Sequence, residues 1–181
     1  MEELKQIGLH YFQNAISPEE EQELISFIDN QPWNTALSRR TQHYGYLYKY
    51  RDQKVSDYTV KPVPQILLDL FLKIKELGIC LGLQDTDKLQ IIVNEYQCGQ
   101  GIGKHIDDPK QFGDWIAGVS LGSNINMLFG QSEVPIHRRS VYQMTDKVRY
   151  QLTHSIPLRK SDNGVKRNRR ISITFRYVLN N

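Results

Sequence analysis

The sequence predicts an α+β fold in which helices come first and a jelly roll, a double-stranded β-helix, follows. Two observations carry this. Before residue 88 there are two amphipathic helical stretches; after it come six short strand-like runs, "KLQIIVNEYQ", "WIAGVSLGS", "INMLFG", "HRRSVYQMT", "VRYQLTHSI" and "RRISITFRYV", with turn signals between them. The jelly roll is the closed all-β arrangement that best suits this length. The last run also alternates strictly from Arg170: Arg170, Ser172, Thr174 and Arg176 face one way, Ile171, Ile173, Phe175 and Tyr177 the other.

The elements follow in order. "IGLHYFQNAI" reads as a short strand. "SPEEEQELISFIDNQ" reads as a helix, with Ser17 as N-cap, Pro18 in the first helical position and acids in the first turn. Leu24, Ile25 and Ile28 supply its apolar face. "RRTQHYGYLYKY" alternates Tyr44, Tyr46, Tyr48 and Tyr50 along one face of a strand or hairpin arm. "VPQILLDLFLKIKELGI" is a second amphipathic helix that Gly78 would end. No repeat or low-complexity segment appears. The expectation is one domain over residues 1–181, with residues 1–87 as an N-terminal extension with helices and 88–181 as the jelly-roll core.

Composition bounds the function. The 181 residues are 39% hydrophobic and 24% charged, an ordinary globular balance. The net charge of +3 is too small to imply nucleic-acid binding by itself. Its distribution says more: "RKSDNGVKRNRR" (159–170) holds six basic residues and one acid, so it is either a solvated loop or a track for phosphates. Two cysteines, Cys80 and Cys98, form neither a disulfide framework nor a CxxC zinc pair. No signal-peptide pattern and no membrane-length apolar run is read, so an intracellular chain, cytoplasmic or nuclear and without membrane contact, is expected.

"GKHIDDP" puts His105 and Asp107 two apart. On a strand these face the same side, so an imidazole and a carboxylate would enter one space. The plain alternative is two polar residues in a turn. Two ligands are too few, and a facial triad of two His and one carboxylate, which leaves positions open, suits non-haem Fe(II). His10, His43, His137 and His154 are the candidates for the third. His10 and His43 precede the all-β region, and His137 sits in a polar, turn-like stretch. His154 shares a face with Tyr150 and Leu152 in "RYQLTHSIP" and would point inward. The arginine strand begins 16 residues later and would lie beside it. An inward arginine must be paired, and guanidinium binds carboxylates through two parallel bonds. A small dicarboxylic acid that chelates the metal with its other end would satisfy both.

With these residues assembled, the chain resembles the AlkB family of Fe(II)/2-oxoglutarate dioxygenases. "NEY" is similar to the family's N-x-Y strand, "HID" to its H-x-D pair, His154 in "YQLTHSIP" to its distal histidine, and "RRISITFR" to its R-x-N-x-T-x-R strand. The resemblance implies His105, Asp107 and His154 as iron ligands. It implies Asn94, Tyr96, Arg170, Ser172, Thr174 and Arg176 as 2-oxoglutarate contacts, with Arg170 on the far carboxylate and Arg176 near the keto-acid end. Fe(II), 2-oxoglutarate and O2 would be the cofactors and co-substrates. Oxidation of an N-methyl carbon would release formaldehyde; oxidation of a methylene would leave a hydroxyl. "RRTQHYGYLYKY" resembles the family's nucleotide-recognition lid, which makes Arg39, Arg40, Tyr44, Tyr46 and Tyr48 candidates for holding an extruded base. The tyrosines would alternatively pack as core, as expected of Trp33 and Trp115. Lys104, Arg159, Lys160, Lys166 and Arg167 are candidate phosphate contacts.

Two positions depart from the pattern. Ser172 replaces the family's Asn, and Asp108 directly follows Asp107, unlike the H-x-D-x-D form of the bacterial repair enzyme, so Asp108 should point away from the metal. "GQGIGKHID" and "SLGSNINMLF" are nearer in tone to eukaryotic homologues, including those that hydroxylate modified wobble uridines. The expected partner is therefore nucleic acid (RNA, tRNA or single-stranded DNA) and the expected state a monomer. Three readings compete: a hydroxylase or demethylase of protein or small molecules using the same iron site, a non-catalytic nucleic-acid-binding module, and a cupin-like metal protein.

Overall fold

The structure, a computed structural model, describes residues 1–49, 54–78 and 86–179, and the side chains of these residues apart from 47–60. A short helix α1 (Glu2–Gln6), which no sequence pattern announced, leads into strand β1 (Leu9–Phe12). Helix α2 (Pro18–Asp29) begins with a complete capping box: the Glu20 amide donates to Ser17 Oγ at 3.1 Å and the Ser17 amide to the Glu20 carboxylate at 2.7 Å. β2 (Arg40–Lys49) and β3 (Lys54–Lys61) form an antiparallel pair, and α3 (Gln65–Glu76) ends before Gly78, whose φ of 77° suits a glycine.

The strands that follow are β4 (Leu89–Tyr96), β5 (Ile102–His105), β6 (Phe112–Leu121), β7 (Ile125–Phe129), β8 (Ser132–Ile136) and β9 (Ser140–Met144). Helix α4 (Asp146–Tyr150), β10 (His154–Ile156), the small hairpin β11 (Ser161–Asp162) and β12 (Val165–Lys166), and β13 (Arg170–Val178) complete the chain. They build two facing sheets, one in the order β1-β9-β6-β13-β4-β2-β3 and the other β5-β10-β7-β8. This is the expected double-stranded β-helix.

The alternation of β13 now has two explanations, one for each face. Ile171, Ile173 and Phe175 pack with Ile91, Val93, Ala117 and Val119 under Leu24 and Ile28 of α2 and Leu67, Phe71 and Ile74 of α3. Both long helices therefore lie on the outer face of the large sheet. Phe71 stacks with Trp115 and with Phe175, at centroid separations of 6.2 and 5.8 Å. The even face of β13 turns inward, between the sheets. A second apolar cluster with Met127, Phe129, Ile156, Tyr142 and Met144 lines that interior.

Four expectations change. "VRYQLTHSI" is not one strand: Val148–Tyr150 belong to α4 and only His154–Ile156 to β10, because the chain turns at Asp146 (φ 47°) into a helical turn. β13 does not lie beside β10; it pairs with β4 and β6, so His154 faces the arginine strand from the opposite sheet. Asp107 follows β5 rather than lying within it. The stretch before His137 is strand β8, paired with β7. Among the described residues no helix is long and apolar enough to cross a membrane.

Candidate active site

Strand register brings the two histidines together. His105 closes β5, His154 opens β10, and the two are direct cross-strand partners with ring centroids 4.2 Å apart. His105 Nδ1 lies 2.9 Å from the Gly103 carbonyl, which can only accept, so Nδ1 carries the proton and Nε2 keeps its lone pair. Asp107 arrives from the turn after β5, its Oδ2 at 3.3 Å from His154 Nε2. One ligand atom from each of His105, Asp107 and His154 lies within 4.8 Å of the others. His137, the rival third ligand, is elsewhere: its Nδ1 is 2.8 Å from Tyr11 Oη.

The charges suit a cation. Burial alone would push the Asp107 carboxyl up, but the Arg176 guanidinium on Oδ1 and the hydrogen bond from His154 outweigh it and hold the group far below the usual carboxylate range. Burial, then the proximity of His154, lowers His105 and favours the neutral imidazole. Two imidazoles and one carboxylate brought together in this way are a donor set that fits Fe(II) facially.

The other end of the interior suits an anion. Arg170 is 1% exposed. Its Nε donates to Ser120 Oγ at 2.8 Å and its Nη2 approaches Ser172 Oγ at 3.5 Å, while Nη1 is buried with no partner. No carboxylate among the described residues pairs with it. An uncompensated buried guanidinium is costly, so a carboxylate of a bound dicarboxylic acid fits the idle donor. Tyr142 reaches the same spot and interacts with both Ser172 and Arg170. Its ring crosses Gly118, its cross-strand partner, where an added Cβ would lie 2.3 Å from the ring. Sequence reasoning missed Ser120 and Tyr142; the available signal was Gly118, a glycine in a buried strand marking a close approach.

Between these ends is a cavity of ≈ 620 Å³, lined by Asn94, Tyr96, Tyr142, Ser172, Thr174 and Arg176 on one wall and by the three metal-facing residues on the other. Arg39, Lys104 and Asp108 also border it. Asp108 uses its carboxylate to cap the following turn, accepting from the Lys110 amide at 2.8 Å and from Gln111 Nε2 at 2.5 Å. The register Thr41↔Asn94 puts the odd residues of β2 on the cavity side. Arg39, just before the strand, donates to Asn94 Oδ1 at 3.0 Å. His43 shares that face; burial, with the charges of Arg176 and Arg39 adding to it, lowers its pKa to about 4.

That parity corrects two substrate candidates. Tyr44 is fully buried on the helix side, its hydroxyl donating to Gln42 Oε1 at 2.9 Å. Arg40 is on the same side, bonded to Glu95 at 2.6 and 2.8 Å and placed over Trp33. Both faces of β2 are covered, so alternation alone did not reveal which one met the cavity. Tyr46 is half-buried beyond a register shift; the Tyr48 side chain and Tyr50 lie outside what the structure describes. The basic segment is also revised. Arg167 is buried on Asp162, Arg159 is paired with Asp162 and Glu133, and Arg169 with Glu95 and Asp29. Lys160 and Lys166 stay exposed.

Comparison with known proteins agrees with this geometry. The family model of the 2OG-Fe(II) oxygenase superfamily matches residues 8–176. An uncharacterized protein, L905, of Acanthamoeba polyphaga mimivirus is 33% identical, covering 95% of this chain and 85% of its own. The tRNA (carboxymethyluridine(34)-5-O)-methyltransferase alkbh8 of Xenopus tropicalis is 34% identical over 86% of this chain, which spans only 26% of that protein. The solved structure of OsALKBH1 superposes with a TM-score of 0.68 at 17% identity, covering 93% of this chain and 97% of the other. The viral collagen prolyl hydroxylase of Paramecium bursaria Chlorella virus-1 shares the fold with a TM-score of 0.60, at 13% identity and 98% and 99% coverage. The chain belongs to the 2OG-Fe(II) oxygenase superfamily, in its AlkB family, and is a 2-oxoglutarate-dependent dioxygenase.

Proposed function

We propose that this dioxygenase hydroxylates or demethylates a modified base in nucleic acid, with a tRNA uridine as the first substrate to try. With Fe(II), 2-oxoglutarate and O2 bound, the chemistry supplied is oxidative decarboxylation of the keto acid coupled to oxidation of a substrate C–H bond. His105, Asp107 and His154 would hold the metal. Arg170, with Ser172 and Tyr142 beside it, would anchor the far carboxylate, and Asn94, Tyr96 and Thr174 would line the path between. Arg176 keeps Asp107 ionised and leaves Oδ2 directed at the metal position. The observation that carries this reading is the idle, buried Nη1 of Arg170 in the same interior as the three-donor cluster.

The substrate class rests on relatives and on the cavity rim. The Xenopus relative is named for a carboxymethyluridine of tRNA, and this chain matches about a quarter of it. Arg39 and Lys104 at the cavity would approach a nucleotide, and Tyr46 and Tyr48 remain candidates for stacking on it. A monomer acting in the cytoplasm or nucleus fits such a substrate.

Two measurements test this. Incubation with total tRNA, alkylated RNA and alkylated single-stranded DNA, followed by nucleoside mass spectrometry, should show a mass change in one nucleoside. Turnover of a protein or small molecule with all three nucleic acids untouched would overturn the substrate class. Fe(II)-dependent succinate formation should fall to background in His154→Ala and persist in His137→Ala; the reverse would overturn the ligand set.

A further inference from the structure

The three metal-facing residues are not held in equal ways. His105 and His154 are fixed by strand register. Asp107 lies in the turn between β5 and β6, where no ladder fixes it. Arg176 holds its carboxylate from within the cavity. Something must hold its backbone.

Arg149 of α4 is placed to do this. It is 2% exposed, and its guanidinium is directed at main-chain carbonyls rather than at a carboxylate. Nη1 donates to the Asp107 carbonyl at 2.6 Å, Nη2 to the Phe112 carbonyl at 3.1 Å with Asp108 O at 3.5 Å, and Nε to the Gly113 carbonyl at 3.1 Å. These four carbonyls span the whole turn from the carboxylate ligand to the first residues of β6. Burial works against the guanidinium charge, with the nearby Asp107 carboxylate as the main compensation. A lysine would keep the charge but not the planar fork that reaches four acceptors at once.

The geometry points to Arg149 as a positioning residue for the metal centre: it clamps the 107–113 turn from behind so that the Asp107 carboxylate meets the two imidazoles. The inference rests on His105, Asp107 and His154 being the metal ligands. Hydrogen-bonding partners outside the ligands themselves commonly shift metal affinity by about 10- to 100-fold, and that range is expected here.

The test titrates Co(II), a spectroscopic stand-in for Fe(II), into the metal-free wild type and into Arg149→Lys, Arg149→Met, Lys147→Met and Asp107→Ala. Far-UV circular dichroism checks folding in each metal-free chain. Arg149→Lys should fold, bind Co(II) about 10- to 100-fold more weakly and show altered visible ligand-field bands. Arg149→Met should lose at least as much affinity, and the exposed neighbour Lys147→Met should match wild type. Wild-type affinity and bands in Arg149→Lys would overturn the inference, as would its failure to fold, since a purely structural arginine predicts that. Asp107→Ala separates the two claims: if it binds Co(II) like wild type, the ligand assignment fails; if it loses binding while the Arg149 variants keep it, only the clamp fails.

Discussion

Arg167 and Arg170 are three residues apart, both buried, and opposite in what they do. Arg167 is satisfied within the chain: Asp162 accepts from its Nε at 2.6 Å and from its Nη2 at 2.8 Å, and the Pro157 carbonyl from its Nη1 at 2.7 Å. Arg170 has the hydroxyls of Ser120, Ser172 and Tyr142 as neighbours, no carboxylate among the described residues, and an idle Nη1. The difference teaches that burial of a charge does not identify a binding site. Residual hydrogen-bonding capacity of a charged group is the better guide, because buried polar groups are in the great majority paired and an idle buried guanidinium nitrogen calls for a partner.

The contrast breaks most sharply in stability. Arg167→Met would leave the buried Asp162 carboxylate with Arg159 and the Asn126 amide but without its buried counter-charge, and should destabilise by about 3 kcal/mol, lowering the melting temperature by roughly 6–12 °C. Binding of 2-oxoglutarate to the folded variant should not change; calorimetric melting and a binding titration check both halves. Arg170→Met should do the reverse. Removal of a charge-assisted contact of about 2–5 kcal/mol weakens 2-oxoglutarate by roughly 30-fold or more, with the iron requirement little changed. Its metal-free melting temperature should stay level or rise, since only neutral hydroxyls, and no buried carboxylate, lose a partner. A large melting loss here would place Arg170 with Arg167 as structural.

A gentler effect sharpens the same contrast. Burial first, and then the charges of Arg176 and Arg39, oppose a further cation on the cavity face: His43 is held at about 4 against an ordinary 6.5. Between those values the unfolded chain binds a proton that the folded chain does not. His43 therefore contributes its full stability above about pH 6.5 and loses it as pH falls toward 4, by up to about 3 kcal/mol. Melting temperatures of wild type and His43→Gln from pH 4.5 to 7 should converge at the acid end. Parallel curves would show that His43 titrates normally.

Much of this was legible in the chain. Ser17 and Pro18 announced the start of α2, β13 announced its alternation, and His105, Asp107 and His154 stand out in the sequence itself. What escaped has a physical cause in each case. Tyr44 and Arg40 are candidates through the resemblance of their segment to a lid, with core packing of the tyrosines as the alternative; β2 is covered on both sides, and a two-sided strand has no polar face to decide between them. His154 was reached through a strand that is really a turn of helix and a short strand, so its inward aim followed from the β5–β10 register instead. Arg149 left no trace: a single arginine in a five-residue helix has no periodicity, and its four acceptors are backbone atoms, which any sequence supplies. The basic run 159–170 read as one charged patch because Glu133, Glu95 and Asp29 are distant in sequence and the one acid within it, Asp162, serves both Arg159 and Arg167.

The sheet order carries a consequence of its own. β1 borders β9 at one side of the large sheet, and β2 with β3 borders β4 at the other. The first 61 residues thus supply the outermost strands on both flanks of a sheet whose centre comes from the rest of the chain. Without them, β9 and β4 would each present a row of bare amides and carbonyls, beside an apolar face stripped of α2. Such rims recruit other chains. The leading segment therefore covers both flanks of the barrel's large sheet, and a chain cut before β4 would expose strand edges open to pairing with other chains.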